Sequence, residues 1–196
     1  MAGEGTKAGL PILSFTNGAE LEAWILAHPE APGLWLRIAK KDSGATSLGY
    51  PEALDIAICH GWIDGQKAPQ DQTWWLQRFT PRRPGGRWSK INCGKAEALI
   101  AAGRMHPGGQ AEVDAARADG RWDAAYAGQA VAEVPDDLRA ALEASPAAAT
   151  FFTTLSSVNR YAILYRIGSV KRAETRARKI AEYVAMLEAG RTIHPQ

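Results

Sequence analysis

The chain has 196 residues, 46% hydrophobic and 22% charged, with a formal net charge of +2, the profile of an ordinary globular protein long enough to bury a full core. No apolar run is long enough to span a bilayer, and the first residues lack a basic start followed by an apolar segment, so we read a cytoplasmic protein. Cys59 and Cys93 are too few for a disulfide framework and have no metal-ligand spacing around them, so they read as buried thiols.

In chain order, a flexible start leads to a short strand over Pro11 to Phe15. Asn17 caps a helix that Glu20 supports three residues on, and Pro29 stops it. Leu34, Leu36 and Ile38 alternate with Trp35, Arg37 and Ala39, which predicts a strand with two different faces. Residues 40–48 read as a hairpin or loop. Pro51 opens a helix with Leu54, Ala57 and Ile58 inward, and Gly61 ends it. Two strands follow, Trp62 to Lys67 and Thr73 to Phe79, joined by a turn around Pro69 to Asp71; the second sets Thr73, Trp75, Gln77 and Phe79 against Trp74, Leu76 and Arg78. Thr80 to Arg87, with two prolines and adjacent glycines, reads as a basic loop unable to continue the strand. Everything after it reads as helix. Ser89 or Asn92 caps the first, which ends at Gly103, and Pro107 opens the second. Further helices start at Pro135, Ser145 and Ser156. The last runs from about Lys171 to Leu187, with Ala173, Ala177, Ile180, Val184 and Leu187 on one stripe, a basic opposite face, and Glu174 spaced to pair with Arg178. The expected fold is α+β: a small, mostly antiparallel sheet packed by helices, then a helical C-terminal segment. We divide the chain into 10–130 and 131–190.

The charge is concentrated in one stretch. Cys59 to Asn92 holds four of the seven tryptophans, six basic residues and two acids, so it carries an excess of four positive charges while the remainder is slightly acidic. Guanidinium groups beside aromatic planes suit anionic ligands. The candidate ligand-binding residues are Trp62, Asp64, Trp75, Arg78, Arg82, Arg83, Arg87, Trp88, Ser89, Lys90 and Asn92, the last four leading into a helix start whose free N–H groups favour anions. A solvated loop with its arginines paired to acids, and tryptophans serving as core, is the competing account. His60 and Asp64 are the candidates for a general base and its orienting group, but no nucleophile accompanies them, and His28, His106 and His194 stand isolated in sequence. No metal cluster and no cofactor can be built from the spacing, so we expect neither, and the residues lean away from an enzyme without deciding the question.

Several strings carry a family resemblance. GWIDG at 61–65, QRFTPRR at 77–83, WSKIN at 88–92, GRM at 103–105 and DGRWDAAY at 119–126 resemble the YdeI/OmpD-associated family of bacterial proteins. So do VPDDLRAAL at 134–142, FF at 151–152 and ETRARKI at 174–180 in the C-terminal part. Ala173 departs from the pattern, in which a proline often opens the last helix. The resemblance implies a role in bacteriocin protection or resistance to cationic peptides, and its label alone implies porin association. It brings no catalytic residues. The function expected is stress resistance, with an anionic small molecule or protein partner bound in the Trp/Arg-lined groove. Nucleic-acid binding, marked by steep salt dependence, and an enzyme acting on a small phosphorylated or carboxylated metabolite are the alternatives.

Overall fold

The structure is a computed structural model that describes residues 5–128 and 131–196. It divides into two units, Met1–Ala125 and Tyr126–Gln196. Residues 1–4 of the expected flexible start, and residues 129–130 at the end of the expected 10–130 part, lie outside the described residues.

The N-terminal unit is built on a five-stranded sheet of order β1-β2-β3-β5-β4. The chain is already paired at Thr6–Lys7 (β1), which joins Leu10–Leu13 (β2) antiparallel. Helix α1 (Gly18–Ala27) then carries the chain across to Leu34–Ala39 (β3), which lies parallel to β2. Asn17 caps α1 by accepting the Glu20 N–H at 3.1 Å, while the Glu20 carboxylate accepts the Thr16 N–H at 2.9 Å. The cap meets one first-turn N–H, and the Glu20 side chain reaches back one residue beyond it, a relative of the capping box. Helix α2 (Tyr50–Cys59) precedes the hairpin of β4 (Trp62–Pro69) and β5 (Trp74–Pro81). In the turn, the Asp71 carboxylate accepts the N–H groups of Thr73 and Trp74 at 2.8 and 2.9 Å, which lowers its pKa. Strand β5 continues through Thr80 and Pro81, beyond the expected end at Phe79. The missing proline N–H falls on the last pair of the ladder, opposite Trp62, where it leaves little unpaired.

The two faces of β5 separate as the alternation predicts. Phe79, Gln77 and Trp75 share a face with Leu34, Leu36 and Ile38, while Arg78, Leu76 and Trp74 lie opposite Trp35, Arg37 and Ala39. The first face is covered by α1 and α2, and its core includes Leu13, Phe15, Leu21, Trp24, Leu36, Ile58, Trp62 and Phe79. The second carries only a small cluster of Leu10, Trp35, Ala68 and Leu76, flanked by Ile12. The Arg37 guanidinium lies over the Trp74 ring at 4.1 Å and covers its face. Helices α3 (Lys90–Ala101) and α4 (Pro107–Ala118) complete this unit.

The C-terminal unit holds α5 (Asp136–Glu143), α6 (Pro146–Thr153), α7 (Ser157–Gly168) and α8 (Ala173–Glu188). They enclose Leu138, Leu142, Phe152, Ile163, Ile167, Ile180, Tyr183 and Leu187. The Asp137 carboxylate accepts two hydrogen bonds from Arg176 at 2.6 and 2.9 Å, and the same guanidinium donates to Ile167 O at 2.9 Å, tying α5, α7 and α8 together. Two details of α8 differ from expectation. Tyr183 joins Ile180 and Leu187 inside, with Val184 half-buried against them, whereas Ala173 and Ala177 line an open hollow; the small alanine side chains cannot reach the core that tyrosine fills. Arg178 lies 3.8 Å from Glu182 at the end of its own helix turn, and Arg176 belongs to the ion pair above instead of a solvated basic face.

Candidate functional site

The hairpin of β4 and β5 carries an irregularity. The register shifts between Asp64 and Lys67, so Gly65 and Gln66 lie outside the regular ladder. Their carbonyls are taken by the buried side chain of Gln77, whose Nε2 donates to Gly65 O at 3.0 Å and to Gln66 O at 3.3 Å. A buried amide thus meets the requirement that buried carbonyls find donors, and the bulge bends the strand.

That bend opens one wall of a hollow of about 340 Å³, lined by Ile63, Gly65, Gln66 and Thr80 on the hairpin and by Arg78, Arg82, Arg83 and Arg87. No acidic residue is among those lining it. Arg82 is buried, its guanidinium lying 3.5 Å from the Trp88 ring centre. Trp88 is itself buried and meets Trp122 at 4.9 Å between ring centres. The basic loop is held from the other side by Arg121, which donates to Gly86 O at 2.8 Å while Asp119 clamps it at 2.7 and 2.8 Å. Gly85 at φ +72° lets the loop turn. Four guanidinium groups thus meet at one hollow, Arg82 buried, Arg78 and Arg87 half-buried and Arg83 exposed, where like charges repel one another and an anion is favoured.

The structure brings Arg78, Arg82, Arg83 and Arg87 together and seats Trp88 beneath them, but it distributes the other expected residues elsewhere. Trp62 is core, packed edge-on against Trp24. Asp64 faces the helices and accepts the Tyr50 hydroxyl at 2.8 Å; burial, then the Asp64 charge, pushes the Tyr50 pKa far above its ordinary value. Trp75 lines a second hollow, of about 610 Å³, with Lys40, Lys41 and Lys67. Ser89 caps α3 by accepting the Asn92 N–H at 3.2 Å, and neither Ser89 nor any residue of α3 is among those lining the hollow. Lys90 is exposed. His60 and Asp64 have separate partners.

The partner of His60 is Glu22 of α1. His60 Nε2 lies 2.9 Å from Glu22 Oε1, and His106 Nε2 lies 3.0 Å from the same oxygen. The two imidazoles stack at 4.0 Å between centres. His106, isolated in sequence, is therefore not isolated in space. Its position depends on glycines: a Cβ at Gly61 would come within 2.8 Å of Gly108 O, and one at Gly109 would collide with the Cys59 carbonyl. This close approach sets the start of α4 on the end of α2, with His106 N–H donating to Cys59 O at 3.1 Å. The hydrogen bond from His60 holds the Glu22 carboxyl below its usual pKa. Among the described residues, Glu22, His60 and His106 are the group whose ligand atoms converge closely enough to hold a metal ion. Sequence reasoning missed Glu22, His106 and Arg121, which lie on separate elements with no common spacing. Cys59 and Cys93 are buried free thiols whose pKa values burial raises.

Fold and site together define an α+β chain with a cation-lined hollow in its first unit and a helical second unit. Residues 13–112 match the family model described as Domain of unknown function (DUF8412), and residues 131–190 match that described as Bacteriocin-protection, YdeI or OmpD-Associated. The chain belongs to the first of these families, and its helical unit matches the model of the second. No curated protein and no solved structure matches it. No helix among the described residues is long and apolar enough to cross a membrane.

Proposed function

We propose that the N-terminal unit binds an anionic group, phosphate or carboxylate, of a small ligand or partner among Arg78, Arg82, Arg83 and Arg87, and that this binding serves stress resistance of the kind that the words bacteriocin protection in the description of the C-terminal family suggest. The observation that carries the reading is the hollow itself: four guanidinium groups and no acid on its lining. Arginine forks match the oxygen geometry of both groups, and the loop is braced before any ligand arrives, which lowers the ordering cost of binding. No carboxylate, histidine or cysteine is among the residues lining the hollow, and we read it as a binding site.

The test is titration of the full, tag-free chain with pyrophosphate and with citrate, followed by tryptophan emission, because Trp88 lies beneath Arg82. Saturable binding is expected, weakened at least tenfold in the Arg83→Ala, Arg87→Ala double variant with an unchanged circular dichroism spectrum; one lost charge-assisted contact of about 1.5 kcal/mol already gives that factor. Unchanged binding in the double variant, or none in the wild type, refutes the proposal. A second reading has one observation in its favour: Trp75 and three lysines line the other hollow on the same hairpin. A single-stranded oligonucleotide bound with an affinity that falls steeply as salt rises would favour a polyanion over a small ligand.

A further inference from the structure

We infer that Glu22, His60 and His106 form a binding site for one divalent transition-metal ion of the zinc class, separate from the arginine-lined hollow.

The donor set comes first. Two imidazole nitrogens and one carboxylate oxygen suit zinc and its first-row neighbours, whereas magnesium and calcium favour all-oxygen shells. The spacing agrees. Two ligand atoms held about 2.0–2.2 Å from one ion, at angles between a right angle and the tetrahedral one, lie about 3–3.5 Å apart. The two Nε2···Oε1 separations are 2.9 and 3.0 Å. All three ligand atoms lie within 4.8 Å of one another; to take an ion the stacked imidazoles must turn so that both Nε2 lone pairs point at it, each in the tautomer that leaves Nε2 unprotonated.

The scaffold is preorganised by three elements. His60 is the C-cap of α2 and its side chain is 6% exposed, so its rotamer is set by packing. His106 is the N-cap of α4 and Glu22 lies in α1; both side chains are 39% exposed, which leaves the cluster an entry path. The two imidazoles stack at 4.0 Å between centres, so both rings meet the one carboxylate from the same side. The cluster adjoins a hollow of about 360 Å³ that Glu52 and Arg104 also line. Its three protein ligands and adjoining space match the open type of zinc site, in which a fourth position faces solvent, better than the closed structural type with four protein ligands.

The experiment uses the full, tag-free chain after chelator treatment. Cobalt(II) is followed by its visible absorption, and zinc(II) by calorimetry and by the thermal shift of tryptophan emission. The wild type is expected to take up one ion per chain and to melt higher with zinc, because an ion bound to the folded state alone stabilises it. His106→Ala and Glu22→Gln should weaken binding by more than the roughly 10–100-fold that outer-shell changes cost. Glu22→Gln keeps an oxygen that accepts from both imidazoles, so it separates metal binding from folding, and His194→Ala should bind like the wild type. The inference is overturned if the wild type takes up neither ion at one per chain, if both cluster variants bind as it does, or if His194→Ala abolishes binding equally.

Discussion

Replacing Gly109 by alanine should destabilise the N-terminal unit, although the same change elsewhere in a helix stabilises. A Cβ at Gly109 would lie 2.6 Å from Ile58 O and 2.5 Å from Met105 Sδ, and closer still to Cys59 O. The methionine can swing aside. The two carbonyls cannot, because they belong to the last turn of α2, so α4 must move away. Overpacking of this kind costs about 1–3 kcal/mol, against which alanine returns about 0.8–1.0 kcal/mol in helix propensity. The upper part of the range applies, since two of the three contacts are backbone, which leaves a net loss of about 2 kcal/mol. All seven tryptophans precede Ala125, so their emission reports this unit alone. The expected signature is a midpoint lowered by about 6–10 °C. Gly94→Ala in α3 is the matched control, because nothing lies within 4 Å of its added Cβ, and it should raise the midpoint. A Gly109→Ala protein that melts at or above the wild type, with Gly94→Ala behaving as described, would refute the claim that the close approach of α2 and α4 depends on glycine.

Two further outcomes follow from single hydrogen-bond groups. Gln77→Leu should leave the Gly65 and Gln66 carbonyls without their donor, costing about 1–3 kcal/mol in denaturant unfolding and weakening anion binding by loosening the bulge wall. In the C-terminal unit, the hydrogen bonds from Arg176 lower the Asp137 pKa in the folded state, so the pair stabilises above the ordinary carboxylate value and loses its effect as pH falls through the depressed one. Asp137→Asn should therefore reduce helical stability at neutral pH by about 1 kcal/mol, a figure kept low because the carboxylate is 45% exposed, and the gap to wild type should close in acid, as read by far-ultraviolet circular dichroism.

What could be read from the sequence was local. Asn17, Ser89, Ser145 and Ser156 announce helix starts because each side chain satisfies an N–H three residues on. The faces of β5 follow from alternation, and the arginine hollow from residues lying within ten positions of one another. The register shift at Gly65 and Gln66 was not legible, because it depends on how a neighbouring strand pairs. Nor was the inward turn of Tyr183, which alanine-rich neighbours on α8 permit only once α5 and α6 are packed against that helix. The Glu22, His60 and His106 cluster joins three elements far apart in sequence, and only the glycines at 61, 108 and 109 hinted that two backbones meet there.

Helix α4 links the two sites physically. Its N-terminus presents His106 to His60 and Glu22, and the turn after its C-terminus presents Arg121 to the basic loop. Twelve residues of α-helix span about 18 Å, and a helix of this length moves as a rigid body more readily than it bends. A displacement of α4 at Gly109 therefore has to be absorbed at its far end, where the Asp119 and Arg121 clamp holds Gly86. The two sites consequently share one mechanical support while using opposite chemistry, a carboxylate with two imidazoles at one end and guanidinium groups at the other. On this geometry Gly109→Ala should weaken anion binding without touching any residue of the hollow, whereas Glu22→Gln, which leaves α4 in place, should not.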